Sequence, residues 1–221
     1  LAPLKGFAKA DPDTQEAFVA AGQGHTFRFR NRPLSAICVW KYDSQHPNVA
    51  IEGAVFQIRY LSGNTSGTGG TVIGTYRTSA NGSFTVTGCK AGTYVIEELS
   101  SDGNHVIDTP PQTVYLSGEE QEVVQVYFGN SAKGSLLVKK VSASDGAPLS
   151  DVEFFVTTAD GAVVGNANGK FVTDSSGSFL VENIDPGTTL VVKEVRAKTG
   201  YLLDDTPQTV QIKAGQTLTL E

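Results

Sequence analysis

The sequence contains no methionine and only two cysteines, Cys38 and Cys89, among its 221 residues. Two cysteines are too few for a small protein that is held together by a disulfide framework. They do not identify the redox compartment, and whether they pair stays open. Because an initiator methionine, a signal peptide and a sorting signal are all absent, we expect the sequence to be a segment of a longer protein.

Basic residues are also scarce, since 17 Lys and Arg stand against 23 Asp and Glu and give a net charge of -6. Nucleic acids and anionic membranes are bound by clustered basic residues, so we expect neither of these partners. No apolar run is long enough to span a bilayer.

The three histidines, His25, His46 and His105, lie apart in the sequence and lack the spacing of metal ligands. The patterns of a nucleophile elbow, a phosphate-binding loop and a pair of catalytic carboxylates are absent as well. We therefore expect no metal site, no cofactor and no enzyme.

Turns and β-forming residues dominate what is present, including 24 glycines. Short β-prone runs are separated by Gly, Asn, Asp, Ser or Pro, and no segment has a helical period. Asn81-Gly82 and Asp160-Gly161 are signals of tight hairpin turns. The pattern predicts an all-β protein made of tandem, immunoglobulin-like antiparallel β-sandwiches.

One unit of sequence is written twice, as is typical of arrays of similar domains. The corresponding segments are 39–41 and 138–140, 53–58 and 151–156, 81–86 and 176–181, 91–98 and 186–194, and 108–114 and 205–210. Cys38 and Cys89 stand where the second copy has Leu137 and Ile184. This favours two small buried hydrophobic residues over a disulfide.

A third, partial copy occupies the N-terminal segment, where Ala21-Gly22-Gln23 corresponds to Ala214-Gly215-Gln216. We therefore predict the last strands of a preceding repeat at 1–33 and a complete repeat at 34–132. A second repeat that lacks the end of its final strand follows at 133–221. The boundary between the two falls in a short polar linker.

Three predicted strands of the complete repeat end their apolar face with a polar residue: Lys41, Glu98 or Asn130. Burying such groups is costly unless they are paired. In a dry interior, burial lowers the pKa of a lysine and raises that of a carboxyl group. The neutral amine of Lys41 would then attack the carboxamide of Asn130 and expel ammonia, while the acid polarises the carbonyl.

A simpler interpretation needs no reaction. Lys41 extends its amine toward solvent, Glu98 forms an ion pair with it, and Asn130 caps the strand before the linker. The mass of the intact protein distinguishes the two interpretations.

The repeats resemble the Cna B-type (SpaA-like, prealbumin-like) domains of Gram-positive surface proteins and pilins. In the first copy the resemblance rests on Val39-Trp40-Lys41, Gly53-Ala54-Val55-Phe56, Asn81-Gly82-Ser83-Phe84, Gly92-Thr93-Tyr94 with Glu98, and Phe128-Gly129-Asn130. In the second copy it rests on Val138-Lys139-Lys140, Gly177-Ser178-Phe179, Glu194 and Gly200-Tyr201.

The resemblance implies spontaneous isopeptide bonds between lysine and asparagine, assisted by an acidic residue. By position, the bond would join Lys41 to Asn130 with the help of Glu98. In the second copy Lys140 and Glu194 are the corresponding pair, without an asparagine in this sequence. Asn31 in the N-terminal segment is an asparagine without a lysine.

The resemblance also implies an extracellular, cell-wall-linked surface protein or adhesin, whose repeats act as rigid spacers beside neighbouring repeats. The alternative is a module that binds a host protein such as an immunoglobulin or a matrix protein. Its candidate binding residues are Trp40, Tyr42, Gln125 and Tyr127, which alternation places on the outer face of two adjacent strands. Packing against a neighbouring domain, or an ordinary cross-strand pair, explains these residues equally well.

The N-terminal segment 1–33 suggests one further partner. Phe27, Phe29 and Asn31 repeat the alternation of the last strand, and unpaired strands recruit partners. One hypothesis is that this segment is donated head to tail to the second repeat of another copy, near Lys140. The alternative is that the rest of a preceding repeat covers it.

Overall fold

A computed structural model of the chain describes residues 14–29, 34–61, 69–119, 122–165 and 167–221. Asn31 and most of the glycine-rich stretch 62–70 lie outside these ranges. Residues 14–29 contain no strand, but the amide of Gln23 donates to the carbonyl of Ala20 at 3.0 Å. The amide of Gln216 donates to the carbonyl of Lys213 in the same way, at 3.3 Å. The matched glycine turns of the N-terminal segment and the second repeat therefore have the same hydrogen bond.

The predicted all-β fold is confirmed, because the described residues form fifteen strands and no helix. The strands of the first repeat are β1 (Ser35–Asp43), β2 (Val55–Tyr60), β3 (Thr71–Arg77), β4 (Ser83–Cys89), β5 (Gly92–Ser100), β6 (His105–Val106), β7 (Gln112–Leu116) and β8 (Val123–Ala132). Those of the second are β9 (Gly134–Lys139), β10 (Glu153–Thr158), β11 (Lys170–Val172), β12 (Ser178–Ile184), β13 (Thr189–Arg196), β14 (Gln208–Gln211) and β15 (Thr217–Leu220).

Each repeat consists of two sheets. The strand orders are β4-β1-β8-β6 and β3-β2-β5-β7 in the first repeat, and β12-β9-β15 and β11-β10-β13-β14 in the second. Neighbouring strands are mostly antiparallel, but β15 runs parallel to β9. Strand β8 also runs parallel to β1, since Ala36 donates its amide to Glu122 and Ser44 donates to Asn130, both at 2.9 Å. The first and last strands of each repeat therefore lie side by side.

The core of each repeat follows from the alternation of its strands. Burial along β1 changes at every residue, which places Ile37 and Val39 inside. In the first repeat the ring of Phe56 contacts those of Phe84 and Phe128, with centroids 5.5 and 4.9 Å away. The second repeat has its own hydrophobic core, which includes Leu136, Val156 and Leu190.

Contacts between residues divide the chain into two compact units. The first contains most of β1–β5, β7 and β8 as far as Gly129. The second contains the chain from Asn130 onward, together with the short pieces Asp43–Pro47 and Gly103–Asp108. No helix that is long and apolar enough to cross a membrane occurs in the described ranges.

The two cysteines behave differently from each other. Both are free thiols, which excludes the alternative of a disulfide between them. Cys89 is buried, as expected of a small hydrophobic residue. The same expectation is wrong for Cys38, which is half-buried, because alternation along β1 turns it away from the core face of Ile37 and Val39.

Gly82 and Gly177 occupy equivalent hairpin turns and fix the backbone of the two lysines. Both have positive φ angles, 75° and 72°. A Cβ atom on Gly82 would lie 2.4 Å from the carbonyl oxygen of Lys41, and one on Gly177 would lie 2.7 Å from that of Lys140. The lysine amides donate to the carbonyls of these glycines at 2.7 and 2.8 Å. Only glycine permits this close approach.

We predict that Gly82→Ala destabilises the first repeat more than Gly53→Ala does. Gly53 also has a positive φ, 83°, but a Cβ there would meet only the Arg77 guanidinium at 3.7 Å. Both substitutions strain the backbone by roughly 1–3 kcal/mol, because alanine disfavours a positive φ. Only the Cβ atom at position 82 would also clash with the Lys41 carbonyl. Urea unfolding followed by the fluorescence of Trp40, the one tryptophan in the sequence, measures both variants. Equal losses would contradict the role of the close contact.

Candidate functional site

Lys41 is buried in the first repeat with 1 % of its surface exposed, although it carries an amine. It lies on the inner face of β1, two positions after Val39. Both of its backbone polar groups are paired, because its amide donates to Gly82 and its carbonyl accepts from the amide of Ile51 at 3.1 Å. Apolar residues with no exposure, including Phe56 and Phe128, belong to the same core.

Glu98 meets Lys41 inside this core. It lies on the inner face of β5, opposite Phe56 on β2. The Lys41 Nζ atom is 3.0 Å from Glu98 Oε2, and neither side chain has any exposed surface. The amine therefore does not extend to solvent, which removes that part of the simpler interpretation. A buried pair of this kind is expensive to desolvate, so it is weak evidence for stability alone.

Asn130 occupies the matching position on β8. The hydrogen bond from Ala36 to Glu122 sets the register and places Phe128 beside Lys41 on the neighbouring strand. Asn130 follows two residues later on the same face and has no exposed surface. Its own carbonyl accepts from the amide of Ser44. The three residues chosen from alternation therefore all face the interior.

The second repeat has the same pair in a more open setting. Lys140 Nζ is 3.1 Å from Glu194 Oε2, but the lysine side chain is 29 % exposed whereas that of Glu194 is 3 % exposed. A cavity of about 50 Å³ lies against both residues and is also lined by Asp204 and Thr206. Thus the lysine and the acid of the second repeat are together as well.

A cluster of ionisable side chains at the end of β1 was missed by the sequence analysis. Asp43 is 6 % exposed. Its Oδ2 atom lies 3.3 Å from His46 Nδ1 and 3.6 Å from His105 Nε2. These two histidines lie apart in the sequence, but the fold brings both of their segments to one carboxylate. The available signal was alternation, since Asp43 is the next inward position after Lys41.

The carboxyl group of Asp43 is held in its charged form. Burial alone raises its pKa, but hydrogen bonds from the amide of Gln45, from the ring and amide of His46 and from the ring of His105 outweigh that effect. Together they lower the pKa of Asp43 below its ordinary value of 3.8. Among the described residues, no group of three His, Cys, Asp or Glu side chains is arranged to hold a metal ion.

The four candidate binding residues lie on the outer face of the β1–β8 pair. Tyr127 is 53 % exposed and Gln125 is exposed, and the hydroxyl of Tyr127 donates to the side-chain oxygen of Gln125. Trp40 and Tyr42 are half-buried. The geometry is also that of an ordinary cross-strand group, so a role in binding stays a prediction.

Both repeats match a known family of domains. The family model of the SpaA prealbumin-like fold domain matches residues 36–132 and 134–221. No curated protein matches the chain.

Solved structures are similar at low sequence identity. The TIE protein of Bacillus anthracis is 20% identical, with a TM-score of 0.45, over 86% of this chain and 34% of that one. A streptococcal ancillary pilin is 22% identical, with a TM-score of 0.46, over 85% and 61%. A double mutant of the shaft pilin SpaA from Lactobacillus rhamnosus GG is 15% identical, with a TM-score of 0.50, over 83% and 95%. The chain thus spans less than two thirds of the first two proteins.

We predict that Asp43→Asn lowers stability at neutral pH by about 1–2 kcal/mol, because an amide oxygen is a weaker acceptor than a carboxylate. A lowered pKa in the folded state stabilises the protein above the ordinary carboxyl value and ceases to do so as the pH falls through the folded value. The difference between variant and parent should therefore shrink below about pH 4. Urea unfolding across this range measures it, with the exposed Glu52→Gln as control. A difference that stays constant with pH would contradict the assignment.

Proposed function

Because the chain belongs to the SpaA prealbumin-like fold domains, the Cna B-type repeats of Gram-positive surface proteins and pilins, we propose that it is a load-bearing segment of a bacterial surface stalk. In this proposal an amide bond between Lys41 and Asn130 locks the first complete repeat. The segment lies outside the cell, belongs to a cell-wall-linked protein and has neighbouring repeats as its partners.

One observation carries the proposal: a lysine amine and a carboxyl group that touch in a core without any exposed surface. A side chain with a strongly hydrated charge is almost never fully buried unless it is paired. Replacing such a pair by apolar residues often stabilises a protein. A chemical role for Lys41 and Glu98 explains why the core retains them.

The reaction needs no external reagent. Transfer of a proton from the Lys41 ammonium to Glu98 leaves a neutral amine and a carboxylic acid, which is the less costly form of both groups in a dry site. The amine nitrogen attacks the side-chain carbon of Asn130 while Glu98 donates a hydrogen bond to the carbonyl oxygen. Glu98 then gives its proton to the leaving nitrogen and takes one proton from the attacking nitrogen, so that it ends protonated again. A C–N bond forms between the side chains, the carboxamide C–N bond breaks and ammonia leaves.

Parallel pairing makes such a bond useful under load. Strand β1 enters the repeat and β8 leaves it, and the two residues lie near the same end of both strands. Force applied at the entry of β1 and the exit of β8 would pass through the bond. The chain between residues 41 and 130 would carry no load and would stay folded. A rigid spacer that resists pulling and proteolysis is the function that this arrangement supports best.

The domain boundaries are part of the proposal. We assign 34–132 and 133–221 to two repeats, and the matched ranges 36–132 and 134–221 support this division. Residues 1–33 are assigned to the end of a preceding repeat on the basis of sequence similarity alone. The assignment of Asn31 as the cross-linking asparagine of that preceding repeat also rests on the sequence alone.

We predict that the intact protein is lighter than its sequence by one ammonia. Digestion should yield a peptide in which Lys41 and Asn130 are joined. The Glu98→Gln variant preserves shape but cannot exchange the proton, so it should have the unmodified mass. Loss of the bond should lower stability by about 2–5 kcal/mol, the range for a covalent link that closes a long loop.

Lys90→Ala is the matched control, because Lys90 is an exposed lysine in the same repeat. It should keep the lighter mass and the stability of the parent. An unmodified mass for the parent protein would refute the bond and leave only the family membership.

A further inference from the structure

Two consecutive residues, Asp108 and Thr109, hold β8 on both sides of Asn130. The hydroxyl of Thr109 donates a short hydrogen bond to the carbonyl of Gly129. The amide of Ser131 donates to Asp108 Oδ2 at 3.1 Å. We call this pair of residues the Asp108–Thr109 clip. It fixes the residues immediately before and after the asparagine.

The clip acts on one edge of β8, and β1 holds the other edge. Backbone groups of Gly129 and Ser131 point to the same side of the strand, because groups two residues apart share a direction. The carbonyl of Asn130 points the other way, to the amide of Ser44 at 2.9 Å. The backbone around Asn130 is therefore fixed from both edges while its side chain stays in the interior.

The local sequence prepares the clip for this contact. Pro110 follows Thr109 and restricts it to extended conformations. Strand β6 lies just before the clip and pairs with the end of β8, where Val106 is opposite Ser131. The pairing of β6 and the contacts of the clip together support one edge of β8 from Gly129 to Ala132.

Apolar packing alone does not supply this support. The buried hydrophobic side chains of β8 end at Phe128, two residues before the asparagine. Hydrophobic burial has no direction, whereas attack of an amine on a carboxamide requires the reacting atoms about 3–3.5 Å apart and correctly aligned. Directional hydrogen bonds at the flanking residues meet that need.

The second repeat provides an independent observation. Asp205-Thr206-Pro207 repeats the sequence Asp108-Thr109-Pro110. Thr206 lines the cavity that also contacts Lys140 and Glu194. Thr206, the counterpart of Thr109, thus lies beside the lysine–glutamate pair of the second repeat, whereas Asp205 forms an ion pair with Lys193 at 3.3 Å.

We propose that Asp108 and Thr109 are positioning residues for the amide bond, which orient Asn130 for attack by Lys41. The inference rests on the proposed bond between these two side chains. The clip takes no part in the bond changes, since the amine nitrogen attacks the side-chain carbon and ammonia leaves as described above. Its contribution is to the rate at which the folded repeat reacts.

The test measures the rate of ammonia loss after cell-free synthesis of the full chain, by intact mass at successive times. Thr109→Val removes the hydroxyl and keeps the shape, and we expect bond formation to slow by about tenfold or more. Thr109→Ser restores the hydroxyl and should restore the rate. Thr206→Val, the same change in the second repeat, should leave the rate of the first repeat unchanged.

A second measurement separates positioning from stability. Asn130→Ala prevents the bond, so Thr109→Val in this background reports its effect on unfolding alone, through Trp40 fluorescence. The rates are then compared at a temperature at which every variant is folded. A slower reaction in a fully folded Thr109→Val protein supports the proposal.

Two outcomes overturn it, and they differ from each other. If the parent loses ammonia and Thr109→Val does so at the same rate, the clip is structural and the bond stands. If the parent never loses ammonia, the bond itself is refuted, and the positioning role with it.

Discussion

The contact between Lys41 and Glu98 is the constraint on which the first repeat depends. Both side chains lie in a core of aliphatic and aromatic residues, at a separation of 3.0 Å and without exposed surface. Before the amide bond forms, removing one partner would leave the other buried without its counter-charge, which typically costs about 3–5 kcal/mol. The strands that carry the pair, β1 and β5, lie in the two different sheets of the repeat, so enclosing the pair requires both sheets.

Comparison of the two repeats separates the scaffold from the site. Thr78 and Thr173 are both buried, and each accepts a backbone hydrogen bond, from Ala54 at 3.0 Å and from Val152 at 3.1 Å. The turns at Gly82 and Gly177 match as well. The backbone around the two lysines is therefore equivalent. Even so, the side chain of Lys140 is 29 % exposed, whereas that of Lys41 has no exposed surface. The two lysines therefore differ in exposure although the backbone around them matches.

Alternation along strands was enough to predict the all-β fold and the inward direction of Lys41, Glu98 and Asn130, because side chains in a strand follow a strict period of two. Alternation was not followed to the end of β1, and for Cys38 the comparison with the second repeat was used in its place. Asp43 is the next inward position of β1 and was not considered. Cys38 was expected to be buried because its equivalent, Leu137, is aliphatic, but both residues are half-buried on the outer face.

The contacts of Asp108 and Thr109 could not be predicted from strand alternation. They join residues 20 and 23 positions apart through a loop, and no periodicity predicts which backbone group a loop side chain reaches. The repeated Asp-Thr-Pro sequence was visible, but its meaning depends on where β8 ends. Phe128 is the last buried apolar side chain on that strand, so the orientation of Asn130 must be set by polar contacts. A core fixes which residues are inside, and hydrogen bonds at its edge fix how the last of them is oriented.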